Sequence, residues 1–286
     1  MSDRPAAASN DAQIEYWNVT AGQTWAQFQE QLDRQIDSLG REALRALAPQ
    51  PGERVVDIGC GCGQTTLELA AAVGPTGAVV GVDISQPMLD VARRRVHAAG
   101  CTNVDLRRLD VQSGTLGDQL FDAAFSRFGV MFFSDPVAAF ANIAKFLQPG
   151  GRLSFVCWRP LQENPWMQAP LDAVRELLPP PAPIEPTAPG PFAFADAARV
   201  RGILDGAGFA SVTITPFDTR IGSGDLEEAL KIACRVGPLG ALLRDNPQYL
   251  EPVAARVRPV LAAYQTPGGV LMPAGVWIVQ ARTGAV

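Results

Sequence analysis

The chain has 286 residues, 47% apolar and 19% charged, which is ample for one large core or two small ones and unlike a disordered chain. Its 24 Lys and Arg against 29 Asp and Glu give a net charge of −5, so no basic field invites nucleic acid or anionic lipid. Five cysteines are too sparse for a disulfide framework and point to a reduced, cytoplasmic protein. The single histidine, His97, cannot build a metal cluster, and it could serve Ser-His-Asp or Cys-His chemistry only by lying in the site itself.

Residues 1–13 read as a loose tail, since no apolar core follows a basic run as in a signal peptide. No stretch approaches the ~18 consecutive apolar residues of a membrane span. Leu32, Ile36, Leu39, Leu44 and Leu47 recur at helical spacing, with a break expected near Gly40 and a stop at 49–52. A strand at 54–58 then opens through glycines into a helix at 65–72, and the unit recurs with strand 78–83 and helix 87–99. Further strands are expected at 104–109, 121–126 and 152–158, with a helix at 136–147. Strands alternating with helices predict an α/β fold, a parallel sheet wound on both faces.

Beyond Trp158 the texture changes. Ten prolines between Pro160 and Pro191 predict a long surface excursion without regular structure. A helix at 196–207 ending at Gly208, a strand at 211–215, helices at 225–236 and 249–264 and a last strand at 275–281 follow. The expected organisation is an N-terminal helical lead-in (1–48), an α/β core (49–158), the Pro-rich excursion (159–195), the end of the core sheet (196–217 and 273–286) and a helical cap insertion (218–272).

The turn after the first strand reads Asp57-Ile58-Gly59-Cys60-Gly61-Cys62-Gly63-Gln64, a G-x-G-x-G spacing. A dinucleotide fingerprint would need glycine at 64, where this chain has Gln64, and that weakens a pyrophosphate site. Asp83 ends the second strand, where a carboxylate can accept hydrogen bonds from both ribose hydroxyls. Glycine turn and strand-end acid together indicate an adenosine-containing ligand.

With Val55-Val56-Asp57-Ile58-Gly59-Cys60-Gly61-Cys62-Gly63, Gly81-Val82-Asp83-Ile84-Ser85, Met88-Leu89, Leu109-Asp110-Val111, Phe121-Asp122 and Leu147-Gln148-Pro149-Gly150-Gly151-Arg152 in order, the chain resembles class I S-adenosylmethionine-dependent methyltransferases, within the group similar to ubiquinone/menaquinone-biosynthesis C-methyltransferases. Tyr16-Trp17 and residues 21–26 resemble that group's lead-in helix. The resemblance implies a doubly wound, seven-stranded, mostly parallel sheet whose last strand is antiparallel, with an inserted helical cap. It implies S-adenosyl-L-methionine as cofactor, S-adenosyl-L-homocysteine as product and no metal.

The same resemblance implies roles. Gly59, Cys60 and Gly61 would line the methionine part and the ribose, with Asp57 ordering the turn from below. Asp83 would hold the ribose hydroxyls, Ile84 and Met88 pack on adenine, and Asp110 take its amino group beside Val111. Ser126 would border the methionine moiety and Trp25 close over it. Arg127, Phe128, Met131, Phe132, Trp158 and Trp166 are candidates for the acceptor.

Each has a plainer reading. Arg127 binds an acidic acceptor or pairs with a local carboxylate, the aromatic set is partly core, and Cys60 and Cys62 occupy small positions in the turn rather than a metal site. His97 falls on the solvated helix face. Transfer from a sulfonium needs alignment more than a proton shuttle, so the missing histidine favours a carbon or nitrogen of a small, fairly hydrophobic acceptor over oxygen. Tyr16, Arg127 and Asp135 remain the catalytic candidates. An NAD(P)-binding oxidoreductase and a non-catalytic cofactor-binding partner stay open as alternatives. The partner expected is a small-molecule acceptor, with no nucleic acid.

Overall fold

A computed structural model of the chain describes residues 9–179 and 185–284. The amino-terminal part runs through α1 (Asp11–Glu15), a π-helical turn (Tyr16–Thr20), α2 (Ala21–Gln27) and α3 (Gln29–Leu47). The loose tail expected at 1–13 is therefore corrected from residue 9 onward. Asn10 is buried and Asp11 starts a helix, while residues 1–8 lie outside the described residues. Helix α3 buries Leu32, Ile36, Leu39, Ala43 and Leu47 on one face and ends where Ala48 turns left-handed. It does not break at Gly40. A β-carbon there would stand 2.8 Å from Arg127 Cδ, so the glycine makes room for an arginine crossing the helix.

The core follows in order: β1 (Arg54–Ile58), α4 (Gln64–Val73), β2 (Ala78–Asp83), α5 (Gln86–Ala98), β3 (Val104–Arg108), β4 (Phe121–Arg127), α6 (Pro136–Phe146) and β5 (Leu147–Trp158). After β5 come α7 (Pro165–Ala173), α8 (Ala197–Gly206) and β6 (Phe209–Ile221). Then come α9 (Leu226–Ala233), α10 (Gly237–Asp245), α11 (Leu250–Ala262), a small hairpin of β7 (Gln265–Thr266) and β8 (Gly269–Val270), and β9 (Met272–Thr283). Seven strands form one sheet in the order β3-β2-β1-β4-β5-β9-β6, with β9 antiparallel to both neighbours.

Helices cover both faces of the central strands, so the fully buried positions of β1 and β4 are apolar apart from Asp57 and Ser126 near their carboxyl ends. On one face Phe140 meets Phe155, Phe194 and Phe209 with ring centroids 5.5–6.3 Å apart. Because β1, β2, β4, β5 and β6 run the same way, their carboxyl ends share one edge of the sheet.

Two expectations change. The Pro-rich stretch is partly regular: α7 carries Pro165 in its first turn, buries Met167 and Pro170, and is followed by buried Val174 and Leu178. It thus packs with the cap, whose own apolar cluster joins Leu230, Leu239, Leu243, Val253, Val257 and Leu261. Residues 180–184 of that stretch lie outside the described residues. The last two sheet strands are also longer than expected, pairing from Phe209↔Thr283 to Ile221↔Met272. Asp225 and Glu228 form the capping box that their spacing predicts.

Candidate functional site

The glycine turn lies at the carboxyl end of β1, beside the ends of β2 and β4. Gly59, Gly61 and Gly63 have φ of 67°, 54° and 84°, the left-handed region that side chains rarely enter. A β-carbon on Gly59 would meet Gly129 Cα at 2.8 Å, so two backbones touch where β1 and β4 end. Phe128 makes this approach from the other side. It holds φ at 64°, a strained position for an aromatic residue, donates its amide to the Val156 carbonyl and stacks on Trp158 at 4.3 Å.

Asp83 is set by the turn it serves. Its carboxylate accepts from the Gly61 amide on one oxygen and the Ser85 amide on the other, both at 2.8 Å. Burial pushes its pKa up, and these amides oppose the shift. Two amides leave lone pairs on both oxygens, which suits a pair of vicinal hydroxyls. Met88 packs its methyl under Gly61. Half-buried Ile84 passes its carbonyl to Asn18 Nδ2 at 3.0 Å.

Beneath the turn, buried Asp57 accepts from Thr65 and Thr66 hydroxyls at 2.8 and 2.6 Å through one oxygen, while the other has no partner. Burial raises its pKa to about 6 against the pull of those hydroxyls. The folded state therefore binds this proton more tightly than the unfolded chain, and Asp57 favours folding most below pH 4. That advantage should fade as pH rises from about 4 to 6, by ~3 kcal/mol for a shift of this size. The Asp57→Asn variant should lack this component. The wild-type minus variant unfolding free energy, from urea titrations at each pH, should fall between pH 4 and 6 and stay level above.

The cysteines of the turn are buried, and burial raises both thiols, Cys62 to about 12, so each stands as a neutral thiol. Among the described residues no group of three His, Cys, Asp or Glu is placed to hold a metal ion.

Several expected site residues are committed elsewhere. Arg127, read as facing either the acceptor or a local carboxylate, takes the carboxylate. Its guanidinium donates to Asp33 Oδ1 at 2.9 Å and to Gln64 Oε1. Arg95 completes the network, joining Asp33 Oδ2 at 2.9 Å and the Cys62 carbonyl at 2.8 Å. The Asp135 side chain caps α6, its Oδ1 accepting from the Ala138 amide. The Tyr16 hydroxyl accepts from Arg244 of α10, which also lies over its ring. Ser126 gives its buried hydroxyl to the Ile58 carbonyl at 2.7 Å and so braces the turn. Met131 is core, and Val111 is buried with its carbonyl held by Asn142. His97 is exposed on α5.

The amino-terminal helices lie over this edge. Trp17 meets Phe132 edge-on at 4.9 Å and Trp25 at 6.2 Å, and its carbonyl accepts from Ser85 Oγ at 2.7 Å. Asp110 accepts from Asn10 Nδ2 at 3.1 Å and from the Gln112 amide at 3.0 Å. Sequence reasoning missed Asn10 and Asn18, and it placed Trp17 in the lead-in helix without giving it a role at the site. The π-helical turn that swings the lid onto the sheet edge has no sequence signature.

The acceptor candidates Phe128, Trp158 and Trp166 form one file of rings, Trp158 to Trp166 at 5.1 Å. It leads from the Gly59–Gly129 contact toward the cap.

Residues 55–151, which hold this glycine turn and the ends of β1, β2 and β4, match the methyltransferase domain family. Aklanonic acid methyltransferase DauC of Streptomyces sp. (strain C5) is 36% identical over 117 residues, 41% of this chain and 53% of that protein. Demethylmenaquinone methyltransferase of Corynebacterium kroppenstedtii is 43% identical over 124 residues, 43% of this chain and 49% of that protein. The chain thus spans about half the length of the curated relatives it matches. The crystal structure of the [4+2]-cyclase SpnF shares the fold, with a TM-score of 0.55 and 20% identity over 87% of this chain and 82% of that one.

Proposed function

We propose that the chain is an S-adenosyl-L-methionine-dependent methyltransferase that alkylates a carbon or nitrogen, rather than an oxygen, of a small, fairly hydrophobic metabolite. The observation that carries this reading is the Asp83 carboxylate, clamped by Gly61 and Ser85 amides beside a left-handed glycine turn within a methyltransferase domain. The relatives named for aklanonic acid and demethylmenaquinone support a small-molecule acceptor.

The residues present fit the cofactor. Asp83 would hold the ribose hydroxyls, the Gly59–Gly61 backbone would border the ribose and methionine part, and Ile84, Met88 and Asp110 would receive adenine. When bound there, the cofactor supplies an electrophilic methyl on a sulfonium whose leaving group departs neutral.

The chain's own work is alignment and exclusion of water, which together can contribute ~7–11 kcal/mol through near-attack geometry. Trp17, Trp25 and Phe132 cover the sheet edge and keep water off the reacting atoms. The commitments of Arg127 and Asp135 support a reaction that needs no general base from them. An acceptor carbon or amine that is already nucleophilic suits such a site.

The test is calorimetry with S-adenosyl-L-methionine against NADH, followed by detection of S-adenosyl-L-homocysteine on incubation with candidate acceptors. Binding of NADH without binding of the sulfonium would replace the methyltransferase reading with an oxidoreductase one. Cofactor binding without product across acceptors would favour a non-catalytic partner. His97→Ala should leave turnover within about twofold, because the side chain is exposed on α5; a loss beyond roughly a hundredfold would place the histidine in the chemistry.

A further inference from the structure

The amino-terminal lid, residues 9–27, is held in three ways. At its carboxyl end the helix is interrupted at Phe28 (φ −105°, ψ 24°). The Phe28 ring is buried with Leu32 of α3 and Ile232 of α9, and Lys231 Nζ lies 5.0 Å from its centroid. That end is a pinned hinge. Along its length the lid is bonded to the sheet edge. Asn18 donates to the Ile84 carbonyl at 3.0 Å and accepts from the Gln86 amide at 2.9 Å, and Asn10 joins Asp110 to Ser134. Gly22 allows the close fit, since a β-carbon there would collide with the Trp17 carbonyl and the Ser85 hydroxyl.

The third hold comes from the cap. Arg244, in the last turn of α10, donates to the Tyr16 hydroxyl at 3.2 Å, and its guanidinium carbon lies 5.9 Å from the centre of that ring. The side chain is exposed and has no carboxylate partner among the described residues. Tyr16 begins the π-helical turn and meets Trp17 edge-on at 5.7 Å. On its other side α10 buries Leu239 and Leu243 in the cap's apolar cluster, against which Trp166 also packs.

We propose that Arg244 is a positioning residue that latches the lid from the cap, so that release of the cofactor is controlled by the cap. The proposal rests on the methyltransferase reading for what the lid retains, while the joint between lid and cap does not depend on it. Swinging the lid open about Phe28 separates Tyr16 from Arg244, and so breaks a cation–ring contact and a hydrogen bond together. A guest that draws the cap outward then loosens the cofactor, and by linkage a bound cofactor steadies the cap.

The experiment combines hydrogen exchange of lid peptides in the full chain with stopped-flow dissociation of S-adenosyl-L-homocysteine. Arg244→Met should raise lid exchange and the dissociation rate by about fivefold or more each, with exchange of β1 and β4 unchanged. Arg244→Lys, which keeps a cation and a donor, should stay within about twofold of wild type. Tyr16→Phe keeps the ring and loses the oxygen, so its effect should be smaller, about two- to threefold. Combined with Arg244→Met it should add nothing, because both changes break one joint. Lid exchange within about twofold of wild type in Arg244→Met, additive effects in the double variant, or failure of lysine to rescue overturns the latch. Faster lid exchange with an unchanged dissociation rate overturns its control of the cofactor. If S-adenosyl-L-homocysteine does not bind the wild type, the methyltransferase reading falls and the proposed control of the cofactor with it, whereas lid exchange still decides whether the joint exists.

Discussion

Asp33→Ala should lower the unfolding free energy by about 3–5 kcal/mol, the range for removing one partner from a buried charge network. Asp33 is the only carboxylate that the guanidiniums of Arg127 and Arg95 both reach among the described residues, at 2.9 Å each. The side chains of Asp33 and Arg127 are 14% and 10% exposed, so water cannot replace the missing charge. The loss should also reach the site, because Arg95 holds the Cys62 carbonyl in the glycine turn and Arg127 holds Gln64 at the start of α4. Urea denaturation of Asp33→Ala, Arg127→Met and the double variant measures this. The double variant should lose clearly less than the sum of the singles, because it leaves one unpaired charge fewer. Strict additivity, or a loss below about 1 kcal/mol for Asp33→Ala, would show the network to be solvated in solution.

Asp83→Ala should weaken binding of S-adenosyl-L-homocysteine by ~1.5–3 kcal/mol, roughly 10- to 150-fold in Kd, through the lost charge-assisted bonds to the ribose. The change acts twice, since the same carboxylate fixes the Gly61 and Ser85 amides. Asp83→Asn should fall between, retaining one acceptor oxygen. Calorimetric titration of the three proteins decides, and an unchanged Kd in the alanine variant removes the ribose role.

The left half of the sheet was legible because its residues obey local rules. A β-branched run ending in glycines is a strand feeding a helix, and Asp83 sits at a strand end whatever the rest of the chain does. The errors arise where distant residues decide. Gly40 looks like a helix breaker until Arg127, far away in sequence, is seen to need its missing β-carbon. The prolines after Trp158 suggested irregular chain, yet Pro165 starts a helix and Pro170 is buried within one supported by the cap. Asn10 has no periodicity to announce it, and its burial follows from Asp110 and Ser134, which it bridges. In the candidate site the ends of β1 and β2 could be read directly. Arg127 and Asp135 could not, because partner choice for a charged side chain is a property of the packed structure.

The pairing of Ile221 with Met272 has a consequence for how this protein can change. Everything between them, α9 to α11 and the small hairpin, leaves and rejoins the core at neighbouring hydrogen-bonded residues. The sheet therefore closes whatever is inserted there, and the entropy of closing a longer or shorter excursion changes only slowly with its length. The cap also has an apolar cluster of its own, so substitutions within it are absorbed locally. Such a graft point lets lineages, or a protein engineer, exchange the helices inserted there while the glycine-turn edge of the sheet stays fixed.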